Sequence, residues 1–110
     1  MTKEETLRLV EQEFVLAKQA AAAGNDGMVR VCARRAAGVA IVFWLQFNDR
    51  PAWQSDSMSR LRHLEADPTF PLQIREAATR LTARITEKFT PRFPSDPIED
   101  SVVIIRHLLG

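Results

Sequence analysis

Three arginines, Arg30, Arg34 and Arg35, stand close together at the head of the most apolar stretch of this chain. Positions four apart share a helical face, so Arg30 and Arg34 point the same way if the segment is helical. Guanidinium groups held on a rigid helix can grip phosphate bidentately, which makes this cluster a candidate nucleotide or RNA contact. The competing reading pairs them with acids such as Glu11 and Glu13 and makes them a solvated edge. A second basic series, Arg80, Arg84 and Lys88 with Arg92 just beyond, recurs every four residues, but Glu76 and Glu87 interrupt its field, as on an ordinary solvated face.

The remaining chemistry-bearing side chains are sparse. His63 and His107 have no metal-ligand spacing to each other or to Cys32, so no metal site is expected. Cys32 lies inside the apolar stretch and reads as a small buried hydrophobe. There is no glycine-rich phosphate loop, paired-carboxylate motif or nucleophile elbow, and hence no local catalytic signature and no implied cofactor.

What must position these residues follows from length and patterning. A chain of 110 residues predicts one domain, over 1–110. A formal net charge of +1 excludes strong global steering toward nucleic acid while leaving room for a local patch. A single cysteine excludes an internal disulfide and fits a reducing, cytoplasmic setting. The first residues are charged where a secretory leader would be apolar, and the apolar run 39–45 is far short of the roughly 20 residues a spanning helix needs, so no membrane association is expected.

The apolar stretch 31–47 reads as a central helix, because Met28, Val31 or Cys32, and Val39 or Ala40 fall near helical spacing and Ala33, Ala36 and Ala37 favour helix. Gly38 is its weak point unless another helix approaches there. A first helix starts at Thr2 with a capping-box spacing to Glu5 and an apolar stripe of Leu7, Val10, Phe14, Ala17 and Ala21. It ends at Gly24 and Asn25, and Asn25 or Asp26 caps the central helix as its antiparallel neighbour. Residues 48–51 end that helix, and 52–59 read as a polar loop with an exposed Trp53. A short helix over 57–64 turns Met58, Leu61 and Leu64 inward. Pro71 opens the next, with Ile74, Ala78, Leu81, Ile85 and Phe89 as its stripe. Pro91 and Pro94 stiffen 90–96, which would hold Arg92 in a defined direction as a further phosphate contact, unless it caps a helix end or pairs with Asp96 or Asp100. Asp96, Pro97 and Glu99 are a strong start for a last helix with Ile98, Val102, Ile105 and Leu109 inside. The reading is all-α: a five-helix antiparallel bundle with one core.

Three passages in this pattern resemble the HEPN family, small helical proteins found beside minimal nucleotidyltransferases. AKQAAAAGNDGMVRVCARRAAGVAIVFWL is similar to the family's opening hairpin, and Arg62-His63-Leu64 resembles the step that opens its short third helix. Arg92-Phe93-Pro94 followed by Asp96 resembles the Arg-Tyr-Pro-Asp segment before its final helix. The resemblance implies a HEPN-like bundle, a homodimer, and a binding or interaction module that works with a nucleotidyltransferase partner or binds nucleotide or RNA. With the arginine cluster read above, the candidate nucleotide or RNA site is Arg30, Arg34, Arg35, Arg92 and His63. Family ribonucleases carry an Arg followed four to six residues later by a His, and no such pair occurs here. The alternatives are a metal-independent endoribonuclease of toxin–antitoxin type, with His63 as acid or base and Arg60 or Arg92 on the phosphate, and a structural dimer without ligand. In the dimer, Phe43, Trp44 and Leu45 would be largely buried, some against the second subunit.

Overall fold

Helix α1, Lys3–Ala22, begins where Thr2 breaks into extended backbone and its Oγ1 accepts the Glu5 N–H at 3.1 Å. Glu4 and Glu5 then sit at the positive end of the helix dipole. The chain reverses through Gly24, whose φ of 71° is a left-handed conformation natural to glycine. Asn25 caps α2, Asp26–Leu45, by accepting the Met28 N–H at 3.1 Å. The computed structural model describes residues 1–53, 56–83 and 96–110. Its other elements are a 3-10 turn, Pro51–Trp53, and helices α3, Ser57–Ala66, α4, Leu72–Thr82, and α5, Pro97–Leu109. Among the described residues there is no strand, and no helix is long and apolar enough to cross a membrane.

Helix α2 packs against each of the other four helices, as expected of a central helix. Its contact face is small: Ala33, Ala36, Ala37 and Ala40 are fully buried, so neighbouring backbones come close. Gly38 is the closest approach. A Cβ built there would lie 2.8 Å from the Ser57 Cβ and 3.3 Å from the Ser57 Cα. The helix-weakening glycine is thus what lets α3 cross α2.

The close packing also changes which residues face inward. On α5 the buried set is Asp100, Ser101, Ile104, Ile105 and Leu108, whereas Ile98, Val102 and Leu109 are only partly covered. Ser101 is small enough to meet the alanine face, and its Oγ donates to the Ala33 carbonyl at 2.8 Å. On α1 the buried residues are Thr6, Val10, Ala17 and Ala20, with Phe14 partly covered, while Leu7 is 46% exposed and Ala21 is exposed. Thr6 is tolerated inside because its Oγ1 donates to the Thr2 carbonyl at 2.8 Å.

Helix α2 stops at Leu45, two residues before the expected end, and Asn48 Nδ2 donates to the Trp44 carbonyl at 2.9 Å. Phe43, Trp44 and Leu45 are half-buried, and Phe47 is 73% exposed. Trp53 is not an exposed loop residue. It is 5% exposed, with its ring 5.4 Å from Trp44, 5.9 Å from His63 and 6.1 Å from Phe70. An isolated aromatic between polar residues carries no periodic signal, so only the packing of α2, α3 and the 67–70 turn reveals its role. On α4, Ile74, Ala77, Ala78 and Leu81 are buried. The expected stripe residues Ile85 and Phe89, and the basic Arg84 and Lys88, lie outside the described residues.

Candidate functional site

The i, i+4 spacing on α2 carries Arg30 and Arg34 to the C-terminal end of α4, not to the acids of α1. A helix leaves its last carbonyls without intrahelical donors, at the negative end of its dipole. Arg30 Nη2 donates to the Arg80, Leu81 and Ala83 carbonyls. Arg34 Nε donates to the Leu81 carbonyl at 2.6 Å, and its Nη2 to the Ala83 carbonyl at 3.5 Å. Two side chains from α2 therefore act as a C-cap for α4.

Arg30 is 8% exposed, and burial pushes its guanidinium below the usual arginine range, an effect partly offset by the charge of Asp100. Burial likewise depresses Arg34, and the like charges of Arg30 and Arg62 add to it. Arg30 and Arg34 both stay protonated at neutral pH, since an arginine does not lose its proton in a protein. Asp100, 6% exposed, is held by Arg80, whose Nη2 lies 2.9 Å from its Oδ1. That hydrogen bond and charge raise Arg80 above its ordinary range. The pair ties α4 to α5 behind the capping arginines.

Arg30, Arg34 and Arg62 meet at one cleft of about 470 Å³, whose wall is completed by Asp26, Gly27, Met58 and Thr82. Helix α2 supplies its first turn and one face, α3 supplies Met58 and Arg62, and α4 supplies its end. In the sequence Arg62 stands out only as part of the Arg62-His63-Leu64 passage, not as a phosphate contact. The legible trace is that Met58 and Arg62 are four apart and so share a face of α3; that this face meets α2 is decided by the Gly38–Ser57 crossing.

The other expected site residues lie elsewhere. Arg35, one position on from Arg34, is exposed and is not part of the cleft wall. Its charge acts on Cys32, a buried thiol pushed up by burial and by the neighbouring Glu13, with Arg35 opposing. His63 stacks on Trp53, its ring planes inclined by 14°, and belongs to the aromatic cluster that Phe70 and His107 extend. It is not among the residues that line the arginine cleft. Arg92 lies outside the described residues. Among the described residues no group of His, Cys, Asp or Glu is placed to hold a metal ion.

Among the described residues the cleft offers three guanidinium groups against one carboxylate, with two of the cations fixed in direction by backbone carbonyls. Such an arrangement is chemically suited to a polyoxyanion, because a fixed guanidinium loses little freedom in gripping one. Compared with family models, with curated proteins and with solved structures, the chain finds no match.

Proposed function

We propose that this protein is a helical binding module that takes a phosphate-bearing ligand, nucleotide or RNA, in the cleft formed by Arg30, Arg34 and Arg62. The observation that carries the reading is the convergence of these three cations from α2 and α3 on one concavity whose wall, among the described residues, includes a single acid, Asp26. Arg34 donates Nε to the Leu81 carbonyl and Nη2 to the Ala83 carbonyl, and among the described residues its Nη1 has no hydrogen-bond partner; Arg62 is exposed and lines the cleft from α3. Arg30 is the buried support whose charge adds to the field.

A HEPN-like, homodimeric module that works with a nucleotidyltransferase is the setting we propose for this site. Support comes from the three sequence passages, from the five-helix, strand-free architecture of the described residues, and, for the dimer, from the exposed Phe47 beside half-covered Phe43 and Leu45. The described cleft joins arginines without a histidine, and that composition favours a binder over the ribonuclease alternative, which needs a proton shuttle beside the phosphate.

The test is binding of labelled RNA and of mononucleotides at one fixed low salt concentration, comparing wild type with Arg62→Ala and Arg35→Ala. Arg62 is exposed, so its loss should leave thermal stability unchanged while weakening binding about tenfold, the worth of one charge-assisted hydrogen bond. Arg35→Ala should leave affinity within twofold. Equal affinity in all three proteins sinks the proposal.

A further inference from the structure

We infer that the ligand group this cleft reads is a terminal phosphomonoester, the dianionic end of a nucleotide or of a 5′-phosphorylated RNA, and not the diester backbone of a chain. The inference rests on the phosphate reading above and narrows it. Three observations point the same way.

The first is charge. Arg30, Arg34 and Arg62 against Asp26 leave a formal excess of two positive charges at the wall. Asp100, the other acid acting on Arg30, is already neutralised by Arg80. A terminal phosphate, with a second ionisation near pH 6, carries close to two negative charges at neutral pH, whereas a diester carries one.

The second is the direction of the donors. Arg34 and Arg62 line the cleft from two helices, and the first turn of α2, through Asp26 and Gly27, forms a third part of its wall. Asn25 accepts the Met28 N–H on its side chain and the Val29 N–H on its carbonyl, so the Asp26 and Gly27 amides are those the helix itself leaves over. Gly27 keeps the approach open: a Cβ built there would meet only Asn25 Oδ1, at 3.8 Å. Donors on three parts of the wall suit the three equivalent oxygens of a terminal phosphate. A diester has two such oxygens and needs exits for two substituents.

The third is size and lining. A cleft of about 470 Å³ suits a mononucleotide-sized group. Met58 offers an apolar surface to a base, and Asp26 offers an acceptor to a ribose hydroxyl.

The experiment uses the full chain at fixed low salt and four probes: one short RNA with a 5′-phosphate, the same RNA with a 5′-hydroxyl, AMP and adenosine. The 5′-phosphorylated RNA should bind at least tenfold more tightly than its 5′-hydroxyl twin, and AMP at least tenfold more tightly than adenosine. Competition by AMP against the 5′-phosphorylated RNA separates the two sources: displacement assigns recognition to the nucleotide end alone, while binding of the phosphorylated RNA without displacement assigns it to a chain end. Either result supports the inference.

Lowering the pH from 7 to 5 should weaken the phosphorylated probes severalfold and leave the hydroxyl twin unchanged. Among the described residues the groups that face the ligand are Asp26, Arg30 and Arg34 on α2 and Arg62 on α3, with the carbonyls at the end of α4 beside them and Glu65 reached through Thr82 Oγ1 at 3.5 Å; His63 is turned onto Trp53. The hydroxyl twin experiences the same protein titrations, so the difference between the two RNAs belongs to the phosphate.

Gly27→Leu places a bulky side chain on the cleft wall at a helical, sterically open position and should weaken the preference without lowering the melting temperature. Equal binding of the two RNAs, weakened alike by Arg62→Ala, would overturn the terminal-phosphate inference and keep the phosphate site. Absence of binding by every probe, or binding insensitive to both Arg62→Ala and Gly27→Leu, would overturn both.

Discussion

A carboxylate that gathers donors becomes harder to protonate, and Asp67, at the end of α3, gathers them from two segments. Its Oδ1 accepts from Thr69 Oγ1 at 2.6 Å and from the Thr69 N–H at 2.9 Å, and its Oδ2 from Arg50 Nε at 3.2 Å. The Thr69 hydrogen bonds first, and Arg50 after them, hold Asp67 below the usual carboxylate range. Because the folded value is depressed, the stabilisation is present above the unfolded value near pH 4 and disappears as pH falls through the folded value. Asp67→Ala should therefore cost about 1–2 kcal/mol at pH 7, with the difference from wild type shrinking as pH drops below about 4. Urea denaturation of both proteins from pH 7 to pH 2.5 measures this, and a pH-independent difference would refute it. Arg50 itself lies over the Trp44 ring, 5.6 Å from its centroid, so this residue-scale latch also holds the aromatic cluster.

Between elements, the α2–α3 crossing sets the position of Arg62 relative to Arg34, and one missing Cβ sets that crossing. Replacing Gly38 by Ala improves intrinsic helix propensity by about 1 kcal/mol. It also drives a methyl group onto Ser57, which overpacking data put at about 1–3 kcal/mol of cost. The steric effect should win, with Gly38→Ala losing about 1 kcal/mol of stability and Gly38→Val more. Removing the opposing side chain in Gly38→Ala/Ser57→Gly should restore part of the loss, and Gly38→Ala/Ser57→Ala, which removes the nearest atom, Ser57 Oγ, but keeps the Cβ at 2.8 Å, should restore less. Thermal denaturation of these variants, with Ser57→Gly alone to close the cycle, decides it, and additive effects in the double variant would mean the two positions do not meet.

At the scale of the whole molecule, Phe47 is the most exposed of the large apolar side chains among the described residues, and its ring makes an edge contact 5.3 Å from Phe43. Half-covered Leu45 lies on the same terminal turn of α2. The proposed homodimer would cover this end. Sedimentation at micromolar concentration should show a dimer, and Phe47→Asp should shift it to monomer with little change in far-UV helicity. A wild-type monomer across that range would count against the dimer.

The amino-acid sequence by itself determined where helices begin and what class of fold results. Caps at Thr2, Asn25 and Asp96, Pro97 at the head of α5, and the apolar run in α2 all act within a turn or two of chain, so they are written locally and read locally. It also marked Arg30 and Arg34 as a pair, since i, i+4 spacing is a property of one helix. Only the tertiary structure decided what that pair faces. The carbonyls of 80–83 that fix both guanidiniums are about 50 residues away in the chain and leave no trace in side-chain pattern, because every residue has a carbonyl. Likewise Arg62 joins the cleft, while His63 turns onto Trp53, because α3 crosses α2 over Gly38. Neighbouring positions on a helix point about 100° apart, so the rotation of α3 about its axis, set by packing, chose which of the two would face the arginines.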